Sequence, residues 1–448
     1  MTETNDESKP QIDPLPAPQK LPLHWRRNFV ANFVDSMFFS LALAFASLTT
    51  IVPVFIRELG GSPLIIGLIP GLVQAGQMLP PLFAAPYIAP LERKLPFLLK
   101  MTLGERLPWP LLALLCLVVA PRYPLAMVVI TTCLLAIFGL AGGICLPAWM
   151  DIVARVTPMQ MRGKLFGWSG ALSGLLGVAG GLGAEHVLGT FPFPYNFAAC
   201  FAAAGFCLFI SFLGLIAIRE PVAEERTVPL AVGDYIDQLF KVLRGDRDFS
   251  IFIVVRILGA FAAMAVAFVA IYATEQRGLP ASVAGRFTAW MLGTQVITTP
   301  LFGMLADRNG YKSSMQFALA AQAAAMGLSL AATTRLEFSI VFALIGAANG
   351  LFFSTALNMV VEFAPAAERV IYLGLHGTLI APAILLAPLL GGWLVDSYDY
   401  ALAFTAAGMC GLCAFLLLTF FVRDPRHGYL SRSQAAPRAA ENANSGSV

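Results

Sequence analysis

Asp35 interrupts a long apolar run that begins just after Arg27, and it shares a helix face with Asn28, Asn32, Ser36 and Ser40. A carboxylate about two turns inside an apolar helix is expensive, so it marks a functional candidate: it can hold a proton, a cation or a fixed partner. Arg256 sits at a similar depth in a later apolar run. The two could meet across a central cavity. Such a pair would keep Asp35 ionised until a substrate or a proton displaced it, or it would simply tie the two parts together; the residues leave both readings open. Glu105 and Arg106 stand side by side in "LGERLPWP". Neighbours point about 100° apart on a helix, which gives them separate partners. Pro108 and Pro110 free the carbonyls of Gly104 and Arg106, so this is a proton-relay site or a kinked joint.

Other side chains offer weaker chemistry. Asp151 and Arg155, four apart, suit a gate or a helix pair better than a substrate site. Asn349, Thr355 and Asn358 offer neutral hydrogen bonds, and Gln77 and Gln295 are two further polar residues within apolar runs. Trp109 and Trp290 could stack on a substrate, whereas Trp25 and Trp393 suit the membrane interface. His376 reads as a packing residue ahead of a proton carrier. Cys410 and Cys413 form a CxxC inside an apolar helix, where small packing residues are expected rather than a redox or metal pair. No HExxH, GxSxG or P-loop pattern occurs. No catalytic set, metal site or cofactor is therefore expected, and a proton is the one small ion to consider.

These residues need apolar rods to hold them. The 448-residue chain is 58% hydrophobic and 12% charged, against roughly 25% charged in a soluble domain. Apolar blocks long enough to cross a bilayer run over residues 29–56, 64–88, 95–120, 124–150, 164–190 and 195–218, and again over 249–274, 282–305, 313–333, 338–361, 370–395 and 400–422. A spanning helix needs about 20 such residues, and the frequent prolines and glycines are tolerated in lipid. The expected fold is an all-α membrane protein with twelve transmembrane helices in two six-helix bundles.

With both termini cytoplasmic, only five of the 29 basic residues (Arg57, Arg122, Arg277, Arg335 and, close to the outer end of its block, Arg286) lie on the outer side, and Arg106 and Arg256 lie deep within spans, leaving 22 on the inner side. That asymmetry sets the expected orientation in the plasma (inner) membrane. It also accounts for the net charge of +3 without nucleic acid. The expected divisions are a disordered N-terminus over 1–24, bundles over 25–218 and 249–422, a cytoplasmic loop over 219–248 with an amphipathic helix at 232–243, and a disordered tail over 423–448. A monomer is expected.

The halves repeat. At an offset of 218, Gly67, Gln77 and Lys94 meet Gly285, Gln295 and Lys312; at 207, Gly143, Pro158 and Arg162 meet Gly350, Pro365 and Arg369. Gly163, Gly167, Gly170, Gly174, Gly177 and Gly181 recur at steps of three and four on one face of the fifth span. Small residues let helices approach closely in lipid, so this face is expected to be a seam, moving rather than static. Gly374, Gly377 and Ala381 repeat part of it in the eleventh span.

"GMLADRNGYK" (303–312) and "PAWMDIVARVTPMQMRGKLFG" (147–167) resemble the second-to-third (repeated eighth-to-ninth) and fourth-to-fifth connections of the major facilitator superfamily. The resemblance covers residues 25–423. It implies a rocker-switch carrier, its cavity lined by spans 1, 4, 7 and 10 and its moving seam made by spans 2, 5, 8 and 11. Third spans lie at the periphery in that fold, which favours the structural reading of Glu105 and Arg106. Asp307 would reach a helix start across the seam, and Arg308 would pair with Glu362 when the cytoplasmic side is closed. Lys312, Asp151, Arg155 and Arg162 complete the expected gate. The first half has Ala89 and Pro90 where the second has Asp307 and Arg308, so its latch is lost or remade from Glu92, Arg93 and Lys94. The expected function is proton-coupled transport of a small amphipathic solute, export ahead of uptake, with a non-transport receptor on the same scaffold as the alternative. The fifth span lacks the glycine–proline signature of many drug exporters.

Overall fold

The computed structural model describes residues 24–88, 90–221, 242–365 and 369–423. The expected N-terminal tail, most of the central loop with its amphipathic helix, and the C-terminal tail lie outside these, as do Ala89 and the side chain of Asp307. The described residues are helical with no strands.

Twelve crossing segments follow in order. Span 1 is Trp25–Phe45 continued by Ile51–Glu58, and span 2 is Pro63–Met78 continued by Pro80–Ile88. Span 3 comprises Leu95–Met101, Leu103–Arg106 and Pro108–Val118; spans 4 to 6 are Pro124–Val156, Met159–Thr190 and Tyr195–Ile216. Span 7 is Arg247–Ala262 continued by Val266–Glu275, and spans 8 to 12 are Val283–Asn309, Tyr311–Ala331, Arg335–Phe363, Arg369–Ser397 and Tyr400–Phe421. Ten of the helical stretches are long and apolar enough to cross a bilayer by themselves. Span 2 falls short because Pro80 and Pro81 lack amide donors and break it after Met78. Span 3 breaks at Thr102 and again at Leu107, the second just before Pro108, where the prolines allow a kinked joint.

Side chains close the helix ends. Gly310, at φ +88°, ends span 8 and starts span 9, a conformation that suits glycine. Thr334 and Glu337 form a reciprocal capping box on span 10. The Glu220 carboxylate, past the end of span 6, accepts from the backbone amides of Lys94 and Leu95 at 2.9 and 2.8 Å, capping span 3.

The core shows the shape of the molecule. At the rim away from the termini, one apolar cluster runs continuously through both halves, from Phe55, Trp109 and Phe201 to Phe268, Phe287 and Phe342. Toward the rim that carries the termini it gives way to two separate clusters. One, around Ile152 and Leu215, belongs to the first half; the other, around Phe252 and Met359, belongs to the second. The bundles are thus joined at the far rim and part toward the termini.

Candidate functional site

The glycine stripe of span 5 records that parting. A β-carbon added at Gly181 would lie 2.6 Å from the Ala289 amide nitrogen and 2.8 Å from the Gly285 carbonyl oxygen, both on span 8. Added at Gly177 or Gly174, it would strike the side chains of Leu292 or Val296. At Gly170, Gly167 and Gly163 it would meet nothing within 4 Å. Spans 2 and 11 repeat the arrangement: Gly71 and Gly392 abut the backbone of Leu385 and Pro63, whereas Gly377, nearer the termini, faces open space. One small-residue face thus has a closed far half and an open near half.

Polar contacts between the halves follow the same division. Among the described residues they all lie in the far half. Arg57 at the end of span 1 pairs with Glu275 at the end of span 7, and Glu275 also accepts from the Tyr400 hydroxyl at 2.7 Å. Arg286 grips Glu185 through two nitrogens, at 2.9 and 2.8 Å. The Thr50 and Thr288 hydroxyls meet at 2.5 Å, fully buried. None of these residues was a candidate from sequence. The signal was present for one pair, because Arg57 and Glu275 are 218 positions apart, the spacing of the internal repeat.

Of the expected gate at the termini rim, the side chain of Asp307 lies outside the described residues. Arg308 is exposed and makes no ion pair among the described residues, and Glu362 is half-buried at the end of span 10. Lys312 is no gate: it donates to the Thr419 and Val422 carbonyls at 3.1 and 2.7 Å, holding the end of span 12. Its repeat partner Lys94 is buried and pairs with Asp151 at 2.8 Å, and Asp151 also binds Arg155 at 2.6 Å. Arg162 donates to the Ala154 and Thr157 carbonyls at the end of span 4. These charges brace their own bundles.

Asp35 does not meet Arg256. Its Oδ1 accepts from Arg106 Nη2 at 3.0 Å and from the Ser211 hydroxyl at 2.6 Å. Arg106 also donates to Thr102 and lies 3.7 Å from Glu105, whose Oε2 accepts from the Thr102 hydroxyl at 2.9 Å. Spans 1, 3 and 6 thus bring two carboxylates around one guanidinium, all nine-tenths or more buried. The expectation of separate partners for Glu105 and Arg106 gives way to one shared cluster: the break at Leu107 places the short Leu103–Arg106 turn so that both side chains stay inside. Asn32, also buried, donates to the Asn28 carbonyl, and Asn28 binds the Arg219 backbone. The Asp35 face therefore seats span 1 against span 6.

Arg256 lies instead within the second bundle. Its guanidinium stands over the Phe352 ring of span 10 at 5.3 Å. His376 of span 11 stacks on Phe252, one turn before Arg256. On span 10, Asn349 is half-buried, Thr355 buried and Asn358 exposed. Trp109 is fully buried, edge-on to Phe138 at 5.5 Å, and is core rather than a stacking surface for cargo. Trp290 shares an exposed stripe with Ile297, Leu301 and Met304, about 200° around span 8 from Thr288. It lies on the side of span 8 turned away from Thr288.

This geometry is two six-helix units meeting along paired glycine faces, with polar closure at one end. The Major Facilitator Superfamily model matches residues 34–294 and 274–443. The chain belongs to the major facilitator superfamily. It is a multi-pass membrane protein. Over 128 residues it is 33% identical to the Multidrug resistance protein MdtG of Salmonella paratyphi A, a match spanning 29% of this chain and 31% of that relative. Among solved structures it is similar to a mutant of the nucleoside transporter NupG (TM-score 0.70, 14% identity, 88% of this chain and 100% of that one). It is also similar to a D-xylose-proton symporter (TM-score 0.65, 16% identity, 89% and 98%). A POT family transporter gives a TM-score of 0.68 at 14% identity, over 90% and 98%. At these identities the structural matches establish the fold.

Proposed function

We propose that this superfamily member is a proton-coupled exporter of a small amphipathic solute, captured here open toward the cytoplasm. The cluster of Asp35, Glu105 and Arg106 carries the coupling. With all three groups ionised it holds one negative charge in excess, in a buried site where net charge is costly. Uptake of one proton neutralises it. Asp35 stands on span 1, whose far end carries the Arg57–Glu275 contact, so a change at one end of the span can bias the other.

With the termini cytoplasmic, the open rim faces the cytoplasm and the far-rim contacts are the extracellular closure. Cargo would load from inside and a proton from outside. The stretch shared with a protein named for multidrug resistance supports export of an apolar-bodied solute, as does the apolar character of the cavity helices. Uptake is the second reading, favoured by the absence of the glycine–proline signature from span 5.

The test is transport in proteoliposomes with an acidic lumen. The wild type should accumulate cargo, and a protonophore should abolish the accumulation. Asp35→Asn should keep counterflow exchange and lose gradient-driven accumulation. Undiminished accumulation by Asp35→Asn would remove the cluster from coupling.

A further inference from the structure

Arg256 lies nine residues into span 7, about 13 Å from its start at the 1.5 Å rise of a helix. A guanidinium at that depth is normally paired. Asp35, Glu105, Arg106, Lys94, Asp151, Glu185 and Arg286 all have partners. Arg256 makes no hydrogen bond or ion pair among the described residues, and its Nε is buried with no acceptor. Nearby, His376 Nε2 is likewise buried without a partner. The apolar floor is Phe352, which touches the guanidinium face, and Phe252, stacked on His376.

The side chain is only half-buried, so part of it meets solvent or lipid. Its face of span 7 also carries Phe252 and Gly259 and turns toward spans 10 and 11: a β-carbon at Gly259 would lie 3.5 Å from the Phe352 ring. The partly buried Phe352 packs on the near-rim cluster of the second half, which is separate from the near-rim cluster of the first. A charge there is tolerable when its open side faces water-filled lumen rather than hydrocarbon.

We propose that Arg256 is the anchor for an anionic group on the cargo, so that the transported solute is an organic anion with an apolar body. This deepens the carrier reading given above and rests on it. A guanidinium presents a planar fork of donors that matches a carboxylate or phosphate-type group at two points. Phe352 holds that fork from one face, and Phe252 adds apolar surface beside it. The Asp35 cluster offers no rival, because its arginine is already bound to protein carboxylates. Cargo charge and coupling proton thus have separate sites, one in each half.

The test uses the full-length protein, purified in detergent, and probes matched in size: 2-naphthoate, 2-naphthyl phosphate, 2-naphthalenesulfonate, 2-naphthamide and 2-naphthylmethylamine. Thermal stabilisation gives each apparent affinity. At least one anion should bind the wild type more tightly than the amide or the amine. Arg256→Gln should weaken it on the order of ten- to a hundredfold, and Arg256→Lys should restore part of the loss. The carboxylate, phosphate and sulfonate arms identify which anion fits.

Without ligand, Arg256→Gln should melt at or above the wild-type temperature, since it removes a charge that no protein group balances. A lower melting temperature would mean that Arg256 has a structural partner and would overturn the proposal. So would equal binding of anion, amide and amine, or anion binding that ignores Arg256→Gln. The two readings fail separately. Anion binding that depends on Arg256, with no effect of a pH gradient on transport, would keep the anchor and sink proton coupling. Proton-driven transport of the amine, unaffected by Arg256→Gln, would do the reverse.

Discussion

Exchanging glycine for alanine at two points of one helix should push the protein in opposite directions. At Gly181 the new methyl would lie 2.6 Å from the Ala289 nitrogen and 2.8 Å from the Gly285 oxygen. Those are backbone atoms that no rotamer change can move, so spans 5 and 8 must separate. Overpacking of this kind costs about 1–3 kcal/mol. Alanine also favours the helix by roughly 0.8–1.0 kcal/mol, but it does so in every conformation, and that part cancels. The net is a shift of about 5- to 150-fold away from the far-closed state. At Gly170 the same methyl meets nothing within 4 Å, so this state loses nothing. If rocking brings span 8 against that half of the stripe, the opposite state bears the clash and the far-closed state gains. Double electron–electron resonance on a cysteine-free background reads the outcome, with labels at Lys164 and Arg308 for the near rim and at Glu58 and Arg277 for the far rim. Gly181→Ala should lengthen far-rim distances and shorten near-rim ones; Gly170→Ala should narrow the distributions onto the far-closed state. Equal or same-direction shifts would refute the seam.

Glu275→Gln removes an ion pair about one-third exposed, worth roughly 0.5–1 kcal/mol after screening. It should raise far-rim opening two- to fivefold, an effect that fades in high salt and that the double exchange Arg57→Glu, Glu275→Arg reverses, all read by the same far-rim labels. Trp109→Ala empties a fully buried aromatic site in the far-rim core and should cost about 3–5 kcal/mol, seen as a lower melting temperature and yield, while the surviving protein keeps its cargo preference in counterflow. Lys94→Met leaves Asp151 with Arg155 alone and should cost about 1–3 kcal/mol, measured as a drop in melting temperature; transport per folded molecule should change little, since both groups brace one bundle.

Helix number and the close approach of spans 5 and 8 at Gly174, Gly177 and Gly181 were legible because each follows from a one-dimensional pattern. Apolar length sets the spans, and steps of three and four place six glycines on one face. The partners of the buried charges were not legible. Asp35 was matched to Arg256 by depth alone, and depth leaves lateral position undefined. Arg106 lies on a helix broken at Thr102 and Leu107, and no periodic count carries a side-chain direction across two breaks. The two lysines aligned by the repeat show the same limit. Lys94 turns to a carboxylate on span 4 and Lys312 to the carbonyls ending span 12, so equal position in the repeat did not mean equal partner. The proline-rich exit of span 2 accounts for part of this, because Pro80 and Pro81 re-aim the segment that leads to Lys94.

Equivalent residues of two alike halves are related by a pseudo-twofold axis, and they can touch only where both lie close to it. Arg57 and Glu275 meet that condition at the far rim, where a single apolar cluster binds the halves. Asp35 and Arg256 are almost equivalent in sequence, yet they lie where that cluster has divided in two. The same splay that keeps them apart leaves Arg256 with no anion among the described residues and leaves Asp35 to an arginine of its own bundle. Symmetry therefore gives a closing contact at one rim and a separation of charges at mid-depth. A rocking motion that broke the Arg57–Glu275 contact would have to close the lumen over Arg256, making the cargo's own charge part of what stabilises the alternate state.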